Sequence, residues 1–140
     1  MADKRRVLFV CAKNDVRSLM AQALLRHTDS EHFEAFSAGL VASEVDPRTL
    51  ESLDHVGIDT TELRSKAIDE FEGQPFHYVI TLCDKSSEEA SRMPTAGEVI
   101  VWNFEDPVTS EKHDPFRHAI QEIHDRIKMF ITVKTRADHL

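Results

Sequence analysis

Two cysteines, Cys11 and Cys83, are all the chain has, and they lie far apart at the ends of apolar runs. That is too few for a secreted disulfide scaffold or for a zinc site built on cysteines. Reactive or buried thiols remain. No apolar run reaches the length of a bilayer span, and Met-Ala-Asp-Lys-Arg-Arg leads straight into a strand without a signal-type hydrophobic segment. A cytoplasmic protein with no membrane partner is expected. Positive charge is also in short supply: the formal net charge is -8, and the summed field repels polyanions, which excludes a general nucleic-acid surface. Any anion site must be local. The eight histidines show no spacing with acidic residues that suits a metal, so neither a metal nor a cofactor is expected. Internal repeats and low-complexity segments are absent, and the 140 residues fit one domain, 1–140, able to bury an ordinary core.

What is present is concentrated in residues 6–25, which read as a buried strand, a short loop and an amphipathic helix. Residues 7–10 form a short, continuous apolar run, as a strand covered on both faces requires. From Val16 the apolar positions continue at Leu19, Met20, Ala23 and Leu24, the spacing of one helical stripe. Between them, Cys11 opens the loop and Arg17-Ser18 closes it. Backbone amides of such a turn, backed by a helix N-terminus, make a nest for a tetrahedral oxyanion. The nest comprises Ala12, Lys13, Asn14, Asp15, Val16, Arg17 and Ser18. Arg17 adds a planar fork to two anion oxygens. The same field favours the Cys11 thiolate, the nucleophilic form, and Ser18 can donate a hydrogen bond to its sulfur. The loop contains no glycine, so Asn14 is expected to take the left-handed conformation that the wrap needs.

Further along, residues 33–37 read as a second strand ended by Ala38-Gly39. Asp46-Pro47 caps a second helix over 47–56, and a helical turn follows Ser65 through Phe71. A third strand covers 76–82 and ends at Cys83. A short polar helix is expected over 86–92, a fourth strand over 99–102, and a long helix carrying Phe116, Ala119, Ile120, Ile123, Ile127, Phe130 and Ile131. The tail 134–140 is expected to fray. Trp102 is assigned to the core and Lys66 to the surface near the site. Alternating strands and helices give a three-layer α/β domain, a four-stranded parallel sheet with helices on both faces. In such sheets ligands bind beyond the carboxyl ends of the strands, where the loops holding Cys11, Cys83 and Asp106 can meet.

Cys11 to Ser18, followed by Met20-Ala21, resembles the Cys-x5-Arg-Ser loop of the low-molecular-weight protein tyrosine phosphatases and of the thioredoxin-coupled arsenate reductases on the same flavodoxin-like fold. Ser37-Ala38-Gly39, Asp46-Pro47, Gly57-Ile58-Asp59, Ser65-Lys66, Val79 to Cys83 and Asp106-Pro107 have counterparts in the same order. The Thr-Leu-Cys ending and the Ser-Lys pair look more like the reductase branch. For a phosphatase the resemblance implies Cys11 as nucleophile on phosphorus, Arg17 as anion clamp and Asp106 as general acid, acting on phosphomonoesters that include phosphotyrosine. For a reductase it implies a Cys11 adduct with arsenate, resolved by Cys83 or by a small thiol, with thioredoxin or glutaredoxin as partner. The reductases' further cysteine falls at Ala90. Phosphatase is the first expectation and reductase the alternative. A non-catalytic oxyanion-binding domain is a third, because the loop is atypical at Lys13, Asp15 and Val16. Lys13 would strengthen anion binding; Asp15 would weaken it or disfavour the thiolate. Val108-Thr109 replaces the aromatic residues that follow Asp-Pro in many tyrosine phosphatases.

Overall fold

The computed structural model describes residues 4–82, 96–105 and 107–137. Its organising strand is β1, Arg5–Cys11. On one side β1 pairs with β2, Phe33–Gly39, and on the other with β3, Phe76–Thr81, which in turn pairs with β4, Ala96–Val101. All three pairings are parallel, and the strand order is β2-β1-β3-β4. Because side chains alternate across a strand, Val7 and Phe9 enter one core cluster while Leu8 and Val10 enter the other, all four fully buried.

The first cluster is roofed by helices α1, Arg17–Thr28, α2, Pro47–His55, and α3, Pro115–Ala137. Leu19, Met20, Leu24 and Leu25 of α1 are sealed from water, as are Leu53 of α2 and Ile123 and Ile127 of α3. Trp102 is buried here as well and stacks near Phe9, Phe104 and Phe130. On the opposite face a 3-10 turn, Ile68–Phe71, brings Phe71 edge-on to Phe36 and Phe76, with the Arg6 guanidinium over two of the rings. The helix expected over 86–92 lies outside the described residues.

β2 runs on through Ala38 and Gly39, read from sequence as its end, because they pair with Val10 and Cys11 of β1; the fourth strand and the tail also differ from expectation for physical reasons. The fourth strand starts at Ala96 and ends at Val101, with Gly97 inside it. A Cβ there would come within 2.9 Å of the His77 carbonyl, so glycine permits the close pairing with β3. The polar tail does not fray at Lys134: α3 continues to Ala137, since the Lys134 ammonium bonds Glu98 at 3.0 Å and lies over the Tyr78 ring.

The carboxyl ends of β1, β3 and β4 converge. Leu82 N-H donates to Val10 at 2.9 Å, Trp102 N-H to Thr81 at 2.8 Å and Phe104 N-H to Leu82 at 3.3 Å. No helix among the described residues is long and apolar enough to cross a membrane.

Candidate active site

Cys11 ends β1, and α1 begins at Arg17. Asn14, between them, has φ of 55° and is fully buried. A short amide side chain tolerates this left-handed conformation better than other non-glycine residues, and here it is also pinned. Its Oδ1 accepts from the Lys66 N-H at 2.7 Å, and its Nδ2 donates to Ser18 Oγ at 2.7 Å. With that hydroxyl oxygen accepting from Asn14, the serine's own proton is directed to Cys11 Sγ, 2.8 Å away. Asn14 and Ser18 thus form a chain of hydrogen bonds that ends on the sulfur. Cys11 is 2% exposed.

The loop's carbonyls are engaged from outside. Leu40 N-H donates to the carbonyls of Cys11 and Ala12 at 3.1 and 3.0 Å, and Ser65 Oγ donates to that of Lys13 at 3.0 Å. The Asp15 carbonyl accepts from Thr49 Oγ1 at 2.9 Å and from the Asp46 N-H at 3.3 Å. In a planar trans peptide the N-H of the next residue points the opposite way. The amides of Ala12, Lys13, Asn14 and Val16 are therefore turned toward the inside of the loop, as a nest requires. Helix α1 adds its own N-terminal amides: Val16 at its N-cap makes no side-chain cap, and the first turn holds no acidic residue. Helix α2, by contrast, is capped by Asp46, whose carboxyl is held below its ordinary value chiefly by its bond to Arg48.

Arg17 reaches across the sheet end, and its Nη1 donates to the Phe104 carbonyl at 2.9 Å. The anion loop is thereby joined to the segment after β4. Lys13 is exposed and Asp15 partly buried. Cys83 and Asp106, the two expected companions of the loop, lie outside the described residues. Among the described residues no group of three or more His, Cys, Asp or Glu side chains is placed to hold a metal.

Two residues of the site have little signal in the sequence. Gly39, read as a strand terminator, is the surface against which the loop rests: a Cβ there would fall 2.5 Å from the Lys13 carbonyl carbon, 2.6 Å from Asn14 N and 2.7 Å from the Val41 oxygen, all backbone. Gly39→Ala is expected to lower stability by about 1–3 kcal/mol, the scale of overpacking, and to weaken inorganic phosphate binding at least tenfold. Thermal unfolding and calorimetric titration check the two effects. Lys66 is a correction: expected at the surface, it is 7% exposed. Its carbonyl accepts from Gly39 N-H at 2.8 Å and its N-H serves Asn14, which threads its backbone between β2 and the loop and draws the side chain inward.

Comparison with known proteins brings four likenesses to this geometry. The family model described as low molecular weight phosphotyrosine protein phosphatase matches residues 6–138. An arsenate reductase of Halalkalibacterium halodurans is 32% identical over 133 residues, which cover 91% of this chain and 96% of that protein. Among solved structures, an arsenate reductase from Archaeoglobus fulgidus superposes with a TM-score of 0.75 at 31% identity, covering 89% of this chain and 98% of its own. A low molecular weight protein tyrosine phosphatase from T. tengcongensis gives a TM-score of 0.76 at 24% identity, over 91% and 98% of the two chains; at that identity the likeness is one of fold.

Proposed function

Because the chain belongs to the low molecular weight phosphotyrosine protein phosphatase family, we propose that it is a thiol-dependent arsenate reductase with Cys11 as nucleophile. The observation that carries this reading is the Cys11 sulfur, bonded at 2.8 Å by Ser18 within a loop whose amides turn inward. Arsenate is preferred to a phosphate ester because the two relatives above 30% identity described above are named arsenate reductase. This reverses the order of the two expectations drawn from sequence.

In the proposed reaction the Cys11 thiolate attacks arsenic(V); a sulfur–arsenic bond forms and one oxygen leaves, protonated, as water. A second thiolate attacks Cys11 Sγ. The sulfur–arsenic electron pair stays on arsenic, arsenite departs, and a disulfide remains. Arsenic gains two electrons and the two sulfurs supply them. Cys83 is the candidate second thiol within the chain. With Ala90 where the thioredoxin-coupled reductases have a further cysteine, the disulfide is returned to thiols by thioredoxin, glutaredoxin or a small thiol acting on it directly. Arg17 and the loop amides hold the oxyanion throughout.

Phosphomonoester hydrolysis is the second reading, favoured by the Arg17 bond to Phe104, two positions before Asp106 in the chain. Asp106 would protonate the leaving oxygen and then activate water against the phosphocysteine. One comparison separates the readings: the protein and its Cys83→Ser variant are given arsenate with thioredoxin or a small thiol, and separately an aryl phosphate. Arsenite production lost in Cys83→Ser is expected. Arsenite retained there with a small thiol moves the second thiol outside the chain. Aryl phosphate turnover without arsenite overturns the reductase reading.

A further inference from the structure

The Lys66 ammonium is enclosed beneath the oxyanion loop. Its Nζ donates to the Arg64 carbonyl at 2.6 Å and to Ser37 Oγ at 3.5 Å, and Ser37 passes its own proton to Gln22 Oε1 on α1. Ser37 lies opposite Phe9 in the sheet, two residues before Cys11 and so about 7 Å from it along the strand. Gln22 is one helical turn beyond Ser18. The charges facing the ammonium are Arg64 from its own segment, Arg26 from α1 and Glu70 from the 3-10 turn, with Glu70 bonded to Arg64 at 2.7 Å; β2 and α1 also present the neutral Ser37 and Gln22. Among the described residues Lys66 makes no ion pair. A buried cation whose facing carboxylate, Glu70, is bonded to Arg64 instead is costly to keep, unless the charge that completes it arrives with the ligand.

We propose that Lys66 is a positioning residue of the oxyanion site: its ammonium ties Arg64, Ser37 and Gln22 together behind the loop and stands as a fixed counter-charge to a dianion bound above. This rests on the loop being an anion site, and not on which oxyanion is turned over. The main chain of Lys66 supports the same role, since it bonds Asn14 on one side and Gly39 on the other. Burial first, and the Arg64 charge second, push its pKa down to about 8. The counter-charge is therefore lost within the range in which the protein can be handled.

The test uses Cys11→Ser protein, so that thiol ionisation does not enter, and calorimetric titration with inorganic phosphate from pH 7.5 to 9. In that parent the affinity is expected to fall about fivefold across the range, as a group with a pKa of about 8 loses most of its protonated fraction and with it the roughly tenfold effect of one charge roughly 10 Å away at an effective dielectric constant near 20. Adding Lys66→Arg, whose guanidinium does not titrate, should keep the affinity level to pH 9. Adding Lys66→Met should give binding about tenfold weaker at pH 7.5 and level thereafter. Equal pH dependence in the parent and the Lys66→Arg protein overturns the proposal, and that comparison decides it even if the methionine variant does not fold. Phosphate binding by folded Lys66→Met protein that matches the parent also overturns it. Binding by none of the proteins at any pH overturns the anion-site reading and this inference with it, whereas the choice between arsenate and phosphate esters affects neither.

Discussion

Cys11→Ser protein is expected to lose about 10⁴-fold or more of its turnover, with arsenate or with an aryl phosphate, while still binding inorganic phosphate. The groups around position 11 explain the size of the loss. Ser18 Oγ, itself accepting from Asn14 Nδ2 at 2.7 Å, presents a proton to the sulfur from 2.8 Å. Such a chain of hydrogen bonds removes no proton. A thiolate is a far stronger nucleophile than a neutral hydroxyl, and no base among these neighbours can take the hydrogen of a serine placed there. The oxyanion amides do not depend on the sulfur, since the carbonyls of Ala12, Lys13 and Asp15 are held by Leu40, Ser65, Thr49 and Asp46. Steady-state kinetics of the variant, with phosphate titration as the control, check both halves. Turnover within tenfold of the parent would exclude Cys11 as the nucleophile.

Those same neighbours show where sequence reasoning succeeds and where it stops. The run 7–10, the loop and the helical stripe from Val16 are local patterns, so β1, α1 and the four-stranded parallel sheet could be read directly. Asn14 was legible for a stereochemical reason: a loop without glycine that must wrap an anion needs a residue tolerant of positive φ, and Asn14 takes φ of 55°. Gly39 was legible only as punctuation. The need for glycine there comes from Lys13 and Asn14, which precede it by some twenty-five positions in sequence, and a single chain's residue types do not show that approach. Lys66 was misread for the same kind of reason. Its neighbours Arg64 and Ser65 are polar and suggest a surface segment, whereas its ammonium also reaches Ser37 on β2, which in turn bonds Gln22 on α1. In both cases the pattern is non-local and carries no periodicity.

The other large effect expected is that of Arg17→Lys, a loss of about 10²- to 10³-fold in kcat/KM with the charge conserved. Arginine does two things at this position. Its Nη1 holds the Phe104 carbonyl at 2.9 Å, and a planar guanidinium can present paired N-H groups to two oxygens of a bound oxyanion. Lysine offers a single ammonium on a flexible stem, which must choose between the carbonyl and the anion. If the loss came only from weaker ground-state binding, KM would rise and kcat would stand. An interaction that strengthens as the central atom is attacked should instead lower kcat as well. The expected result is a fall in kcat that exceeds the rise in KM, together with phosphate affinity reduced about tenfold. Mutation of Phe104 cannot imitate this, since its contribution is a main-chain carbonyl. A change confined to KM would mean that Arg17 serves only to capture the anion, and the coupling between the loop and the segment leading to Asp106 would then have no part in the chemistry.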